Sequence, residues 1–451
     1  MPKFTIAWLA VYFGGLIASV INPLYGLLAY LFEYYLRPSL HWWGKDLPAF
    51  RWSLLAAVVT AGSFVMNRTS LRKMPTVKNP ALPWVLGLGA VTVLFTPLAA
   101  NVAESWEWAL DFLKLIALYG LMVGVVRTQG AFDAVLALHI ACAGWWGWEA
   151  YLDPTRVAGR LLRVGSSDTL NDNAASAHLL TVIPFLVILA GTSKDKRLRA
   201  LAILTAPFII NTFVLCNSRG STLGLIAILL WSFRVARAGL RIRIAGAAIA
   251  TALAFVLLAD PVFFSRQQTT ATYEEDPSAT GRLESWIGGL KLLRDRPWGA
   301  GGRGFHELSP KYIPHIVEVH EGQLRAPHNT FVMVATEWGV QGLVLFLGFL
   351  WATFRILKRV RIRALEADWF YYRALGVELA LVGQMVAGTF TDRLYGESVY
   401  WMAALAFALC RMQEAELPAS ATETAHRATS PKVGLPLLEP ASSRVRREVT
   451  R

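Results

Sequence analysis

Charge is scarce in this sequence. Only 17% of its 451 residues are Asp, Glu, Lys or Arg, against about a quarter in soluble domains. Acidic residues are the scarcer kind, 31 against 44 Lys and Arg, which leaves a formal charge of +13. Cysteine is rarer still. Cys142, Cys216 and Cys410 are too few for the disulfide framework of a secreted domain or for a metal cluster. All three lie within or at the ends of apolar runs, where a free thiol behaves as a small buried hydrophobe. The shortage of charge excludes a disordered chain and a cytosolic enzyme. Hydrophobic residues, 55% of the chain, fill the space, in runs that approach the roughly 20 residues that span a bilayer.

A window of span length places apolar runs at 4–20, 24–36, 52–66, 81–98, 108–126, 131–149, 174–192, 198–216, 220–233, 244–262, 329–353, 371–390 and 398–412. The first follows Lys3 without a small-residue cleavage motif, so it reads as an uncleaved anchor and not as a signal peptide. Four basic clusters punctuate the runs: Arg68/Arg72/Lys73/Lys78, Lys194/Lys196/Arg197/Arg199, Arg234/Arg237/Arg241/Arg243 and Arg355/Lys358/Arg359/Arg361/Arg363. Short cytoplasmic loops collect Lys and Arg. Even numbers of runs (four, two and two) separate successive clusters, so all four fit on the cytoplasmic side. The excess positive charge thus has its source in the membrane, and no nucleic-acid partner is expected. The opposite face receives 38–51, 99–107, 150–173, 217–219, 263–327 and 391–397. Reading the two short runs around Asn22-Pro23 as one broken span gives about twelve crossings with both ends inside; reading them as two gives thirteen. The expectation is an all-α polytopic membrane domain over 1–412, containing a large, partly helical periplasmic loop at 262–328. Residues 413–451, rich in Ser, Thr, Pro, Arg and Glu and without apolar period, read as a disordered cytoplasmic tail.

Several arginines sit where the positive-inside rule does not place them. Arg219 occupies the short outer turn Cys216-Asn217-Ser218-Arg219-Gly220-Ser221; a charge at membrane depth marks a functional site by default, or else snorkels to headgroups or caps a helix end. In the outer loop, Leu283, Trp286, Ile287, Leu290 and Leu293 recur at helical spacing, which predicts an amphipathic helix from about Thr280 to Arg294 lying on the membrane surface. Arg296-Pro297 ends it. The following Gly299-Ala300-Gly301-Gly302-Arg303-Gly304 lacks the Lys-Ser/Thr of a phosphate-binding P-loop and reads as a flexible turn. Pro327-His328-Asn329 then opens the next span, where His328 and Asn329 suit capping and His328 adds an imidazole that titrates near neutrality at the level of Arg219. His315, Glu318 and His320 alternate as in a strand and do not suggest a shared metal. His139 and His178, within runs, read as packed or hydrogen-bonded. Glu33, Asp111 and Glu378 read as locally paired or facing the bundle interior. No GxSxG, CxxC or HExxH motif appears.

The ordered series Ser278-Ala-Thr-Gly281-Arg282-Leu-Glu-Ser-Trp286, Arg296-Pro297-Trp298-Gly299-Ala-Gly301, His328-Asn329 and Glu337-Trp338-Gly339-Val340-Gln341-Gly342-Leu343 resembles the O-antigen ligase and polymerase superfamily of bacterial envelopes. Ser218-Arg219-Gly220, and Arg163 leading to Asn171-Asp172-Asn173, are similar to it as well, although a proline often precedes the Asn there. The N-terminal part, with Tyr34-Tyr35-Leu36-Arg37-Pro38, looks closer to the exosortase-associated O-glycosylation ligase branch. The resemblance implies a GT-C-like membrane glycosyltransferase of the bacterial inner membrane, with its site facing the periplasm. Such an enzyme moves a glycan from undecaprenyl diphosphate to an acceptor hydroxyl of a lipid core, a protein or a glycan. By analogy Arg219, Arg282 and His328 carry the reaction, and Arg163, Arg303, Arg325, Asn329 and Asn173 contact substrate or orient the site. Guanidinium groups clamp phosphate bidentately and steady growing charge at a water-poor interface, so no metal and no cofactor is expected. A polymerase of the same superfamily is the nearest alternative. A transporter of lipid-linked glycan predicts internal repeats and midplane charges, which the sequence does not show.

Overall fold

The computed structural model describes residues 2–157, 160–161, 164–166, 168–169, 171–258, 277–364 and 368–416. In chain order its helices are α1 (Lys3–Ser19), α2 (Pro23–Tyr35), α3 (Trp52–Met66), α4 (Leu82–Phe95), α5 (Val102–Val125), α6 (Gln129–Leu152), α7 (Asp172–Leu179), α8 (Ile183–Thr192), α9 (Lys196–Leu215), α10 (Arg219–Val235), α11 (Ala238–Leu258), α12 (Pro277–Asp295), α13 (Gly304–Tyr312), α14 (Pro314–Val319), α15 (Thr330–Arg363), α16 (Asp368–Gly388) and α17 (Glu397–Glu416). A two-residue antiparallel pair joins Arg156–Val157 to Arg160–Leu161. Every apolar run of the sequence lies on helix. The run 174–192 is divided between α7 and α8 by a turn before Pro184, and 244–262 is helical through Leu258, with its end outside the described residues. Short polar side chains start many of these helices. Asn22, Asn101, Thr128, Asn171, Asp195, Ser218 and Asn329 each accept a hydrogen bond from a first-turn amide that the helix leaves unpaired.

Among the described residues, four stretches are long and apolar enough to cross a membrane: Val102–Val125, Asp172–Thr192, Lys196–Leu215 and Thr330–Arg363. Shorter apolar helices stand at Lys3–Ser19, Trp52–Met66 and Leu82–Leu98. The Asn22-Pro23 break does not produce the single broken span expected from the sequence. It reverses the chain. The Trp8 ring lies 6.2 Å from that of Phe32, and Gly15 packs so close to Ala29 that an added Cβ would stand 2.9 Å from the alanine methyl. The first helix consequently starts beside Trp43, where Thr5 Oγ1 donates to the Trp43 carbonyl, and α17 finishes at the other end of the bundle. The stretch around Asn22-Pro23 therefore follows the second of its two readings, two separate helices; the C-terminal end of the chain lies outside the described residues.

The four basic clusters gather at one end. Arg127 Nη1 donates to the Arg72 carbonyl at 3.1 Å, Arg243 Nη1 to Gly191 at 3.4 Å, Arg237 Nη2 to Ala364 at 2.7 Å and Arg361 Nη1 to Val235 at 3.2 Å. Charges inside runs are paired as expected: Glu33 with Ser53 at 2.7 Å, Asp111 with Lys114 at 2.6 Å, and Glu378 with Arg361 at 3.0 Å. The expected tail boundary at 412 falls inside α17, which continues to Glu416; 417–451 lies outside the described residues.

One irregularity shapes the opposite end. α15 is broken at Gly339, whose φ of 71° and ψ of −172° no L-residue adopts comfortably. The break frees backbone groups, and the glycine-rich segment after α12 takes them up. Ala300 N donates to Thr336 O at 2.8 Å, Gly301 N to Glu337 O at 2.9 Å, and Val340 N to Pro297 O at 3.0 Å. Gly299 and Gly301 have φ of 93° and 82°, and a Cβ on Gly299 would lie 2.3 Å from Glu337 O. The segment expected to be a flexible turn is a splint, and its amides are spent inside the fold. The amphipathic helix expected at Thr280–Arg294 lies within α12, with Leu283, Ile287 and Leu290 exposed.

Candidate functional site

Beside the splint, the first turn of α7, the first half of α12, the end of α14 and the turns 325–328 and 389–396 surround a cleft of about 550 Å³. Four of the residues named from the sequence line it: Arg282, Arg325, His328 and Asn173. Asn171, Ser285, His320 and Thr391 add neutral polar groups and a second imidazole, and no carboxylate is among the described residues that line it. The electrostatics are those of an anion site, with guanidinium groups on two separate elements.

His328 is held by the chain around it. Its φ of 50° is left-handed, uncommon for a residue with a side chain and mildly strained. Pro327 precedes it, and Asn329 caps α15, its Oδ1 accepting from Phe331 N at 2.9 Å and Val332 N at 3.2 Å. This cap is the role that the position of Asn329 before the span suggested. The partner of His328 is a residue the sequence reading passed over. Asp392 Oδ2 lies 3.4 Å from His328 Nδ1, and Asp392 Oδ1 accepts from Asn329 N at 3.1 Å. One carboxylate thus fixes both the ring and the backbone behind it, and Nε2 remains as the ring atom for chemistry in the cleft. The same loop grips α15 again, where Thr330 Oγ1 donates to Thr391 O at 2.8 Å and accepts from Arg393 N at 3.0 Å.

Arg393 ties this loop to the interior. It is 1% exposed; its Nη1 donates to the Asp168 carbonyl, and its Nη2 lies 3.3 Å from Asp168 Oδ2. Asp168 in turn accepts from Tyr34 OH and from Glu397 N at 3.0 Å. Behind it Tyr35 OH bonds both His139 and His178, the latter at 2.6 Å, and His139 bonds Thr181 at 2.9 Å. These two histidines are hydrogen-bonded members of the core, as the sequence suggested.

Arg219 is the first residue of α10. It does not line the cleft, but its neighbour Ser218 donates to Asn173 Oδ1 at 2.8 Å, so it stands at the rim. Asn217 before it is left-handed, with φ of 50°, and Gly220 is pressed so closely on Phe390 that a Cβ would lie 2.7 Å away. Asn171 caps α7, accepting from Ala174 N at 2.8 Å, and Asn173 faces Ser218 and the cleft. Arg303 is the clearest departure. Its Nη1 pairs with Glu104 Oε1 at 2.8 Å, its Nη2 contacts His306 Nε2 at 2.9 Å, and it is absent from the cleft lining. Burial, and then the Arg303 charge, hold the His306 pKa below its ordinary value, so the neutral ring accepts from the guanidinium. Arg163 lies outside the described residues. Among the described residues no three His, Cys, Asp or Glu converge on a metal position; His320 Nδ1 donates to its own helix at Ile316 O, 2.8 Å away.

A helical bundle with span-length apolar helices and a cationic cleft at one end defines a polytopic membrane protein. Residues 204–347 match the family model described as O-antigen ligase, which supports membership of the O-antigen ligase-like superfamily. The match runs from α9 into α15. It encloses Arg219, Arg282, Arg303, Arg325, His328 and Asn329, and leaves Asn173 and Asp392 outside. No curated protein matches the chain.

Proposed function

We propose that the protein is a metal-independent, inverting glycosyltransferase of the bacterial inner membrane, which moves a glycan from undecaprenyl diphosphate to an acceptor hydroxyl at the periplasmic face. The acceptor is a lipid core, a protein or a glycan. The observation that carries this reading is the convergence of Arg282, Arg325 and His328 in one cleft, with Asp392 behind the imidazole. The acceptor oxygen attacks the anomeric carbon from the side opposite the leaving group. The bond from that carbon to the diphosphate oxygen breaks, and its electron pair leaves with the diphosphate. Arg282 and Arg325 neutralise the growing charge, with Arg219 extending the cationic rim, an arrangement most effective where water is sparse. His328 Nε2 takes the proton of the hydroxyl, and Asp392 stabilises the resulting imidazolium.

The test is reconstitution of the full chain in proteoliposomes with a lipid-diphosphate-linked oligosaccharide and a panel of hydroxyl acceptors, reading transferred glycan and released lipid diphosphate by mass. One glycan per acceptor, insensitive to chelators, is the expected product. Chain growth on the carrier without any acceptor would assign the protein to the polymerases of the same superfamily. Loss of transfer with EDTA, restored by a divalent cation, would overturn the metal-independent step.

A further inference from the structure

At the end of the bundle opposite the cleft, a second hollow of about 830 Å³ lies between the last turns of α15, the segment before α4 and α17. Lys78, Arg355, Lys358 and Arg359 line it, with Trp351 and Ile356 as apolar walls. Its cations differ from their neighbours. At the same end Arg361 pairs with Glu378, Arg363 with Glu414 and Arg237 with Asp368, and Arg411 donates to the Val123 carbonyl. Among the described residues, Lys78, Arg355, Lys358 and Arg359 have no carboxylate within ion-pair distance. Arg355 lies over the Trp351 ring, 4.7 Å from its centroid.

Cations three and four residues apart on one helix face repel each other, and a general preference for basic cytoplasmic loops does not require Lys78 to join them from another segment. A shared anion resolves the repulsion. The surroundings point to its type. Val340, Val344, Leu347 and Trp351 form an exposed apolar stripe along α15, 45–55% exposed, that ends at the hollow. The spacing of three and four residues keeps that stripe on one face, and an indole at its end is the residue that marks a boundary between acyl chain and headgroup. We propose that this hollow binds the phosphate headgroup of an anionic phospholipid from the leaflet opposite the catalytic cleft, with an acyl chain along the Val340–Trp351 stripe. The site lies at the other end of α15 from His328 and does not depend on the glycosyl-transfer reading.

The full-length protein, exchanged into nanodiscs of phosphatidylglycerol with phosphatidylcholine, is released and its retained lipids counted by native mass spectrometry. The wild type retains phosphatidylglycerol in preference. Arg355→Gln with Arg359→Gln lowers that retention about 30-fold, from about fivefold for each cation removed near a charged lipid surface. Arg68→Gln with Lys73→Gln, basic positions of the same end outside the hollow, leaves it within about twofold. Leu347→Gln lowers retention through the acyl chain alone. Equal loss in both double variants would overturn the site in favour of diffuse surface charge. Displacement by millimolar inorganic phosphate, with no effect of Leu347→Gln, would reduce it to a free phosphate site and overturn the lipid assignment. All variants change exposed side chains, and a melting temperature near wild type verifies that each is folded.

Discussion

Replacing Asp392 with asparagine removes a charge while leaving most of the geometry in place. An amide oxygen still accepts from Asn329 N, as Asp392 Oδ1 does at 3.1 Å, so the cap and the left-handed turn at His328 persist. What is lost is attraction between the carboxylate and the protonated ring 3.4 Å away. At that distance two unit charges interact by about 1 kcal/mol in bulk water and about 5 kcal/mol at an effective dielectric constant near 20. The His328 side chain is 45% exposed, which places the pair toward the lower end. The expected result is a kcat about 10- to 100-fold lower, at about 1.4 kcal/mol per decade, with the KM for the lipid-linked donor nearly unchanged. Asp392→Ala also gives up the hook on Asn329 N and should fall further in kcat and lose thermal stability. The assay is initial-rate glycan transfer in proteoliposomes, alongside melting in detergent. An Asp392→Asn protein that transfers glycan within twofold of wild type would refute the assignment of Asp392 as the partner that stabilises the imidazolium.

Other substitutions separate the cleft from its supports. Arg282→Ala and Arg325→Ala should each weaken donor binding about 10- to 100-fold, the range of a lost charge-assisted hydrogen bond. Arg303→Ala should leave donor KM alone and cost at most about 1 kcal/mol of stability, because its partly exposed pair with Glu104 is screened; donor titrations against melting curves distinguish the two. Gly339→Ala forces a Cβ to within 2.5 Å of the Pro297 oxygen at a φ of 71°. It should cost at least about 1–3 kcal/mol in backbone strain, read as a melting temperature several degrees lower. His306 has a depressed pKa in the folded state, so the unfolded chain binds its proton first as pH falls. Its contribution is complete above the ordinary histidine pKa, about 6.5, and is lost as pH drops from there through the depressed value; His306→Gln should flatten that part of the stability profile.

The helices were legible because each hydrophobic run carries its own signal, and the caps that start them are local as well. What escaped the reading depends on distant partners. Asn22-Pro23 announces a break in either a bent span or a hairpin, and only the packing of Gly15 on Ala29 chooses the hairpin. The glycines at 299 and 301 looked like slack because their partners, Thr336 and Glu337, are the carbonyls of a helix that begins some thirty residues later. Arg303 carries the same charge as Arg325 in the same outer loop, but a carboxylate from α5 claims the first, and among the described residues none claims the second. Asp392 sits in a short outer loop between two apolar runs, and its meaning appears only when that loop closes on the turn before α15. Its position on the same face as His328 was the one available clue.

That closure explains why so many polar groups are buried beneath the site. A buried ion pair such as Arg393 with Asp168 is a poor stabiliser, since desolvation offsets most of the attraction. Hydrogen bonds are directional, however, and a row of them transmits position where apolar packing would permit sliding. From Tyr34 to Asp168, from Asp168 to Arg393, and from the Arg393 amide to Thr330, each link fixes the next. Thr330 and Asp392 then hold the residues on both sides of Asn329, and His328 is left with a defined direction into the cleft. The same end of α15 is braced from the other side by the splint at Gly339. A side chain that must meet a proton in transit requires placement to within a fraction of an ångström, and here a half-exposed imidazole acquires it from a core that is neither exposed nor, over most of its surface, polar.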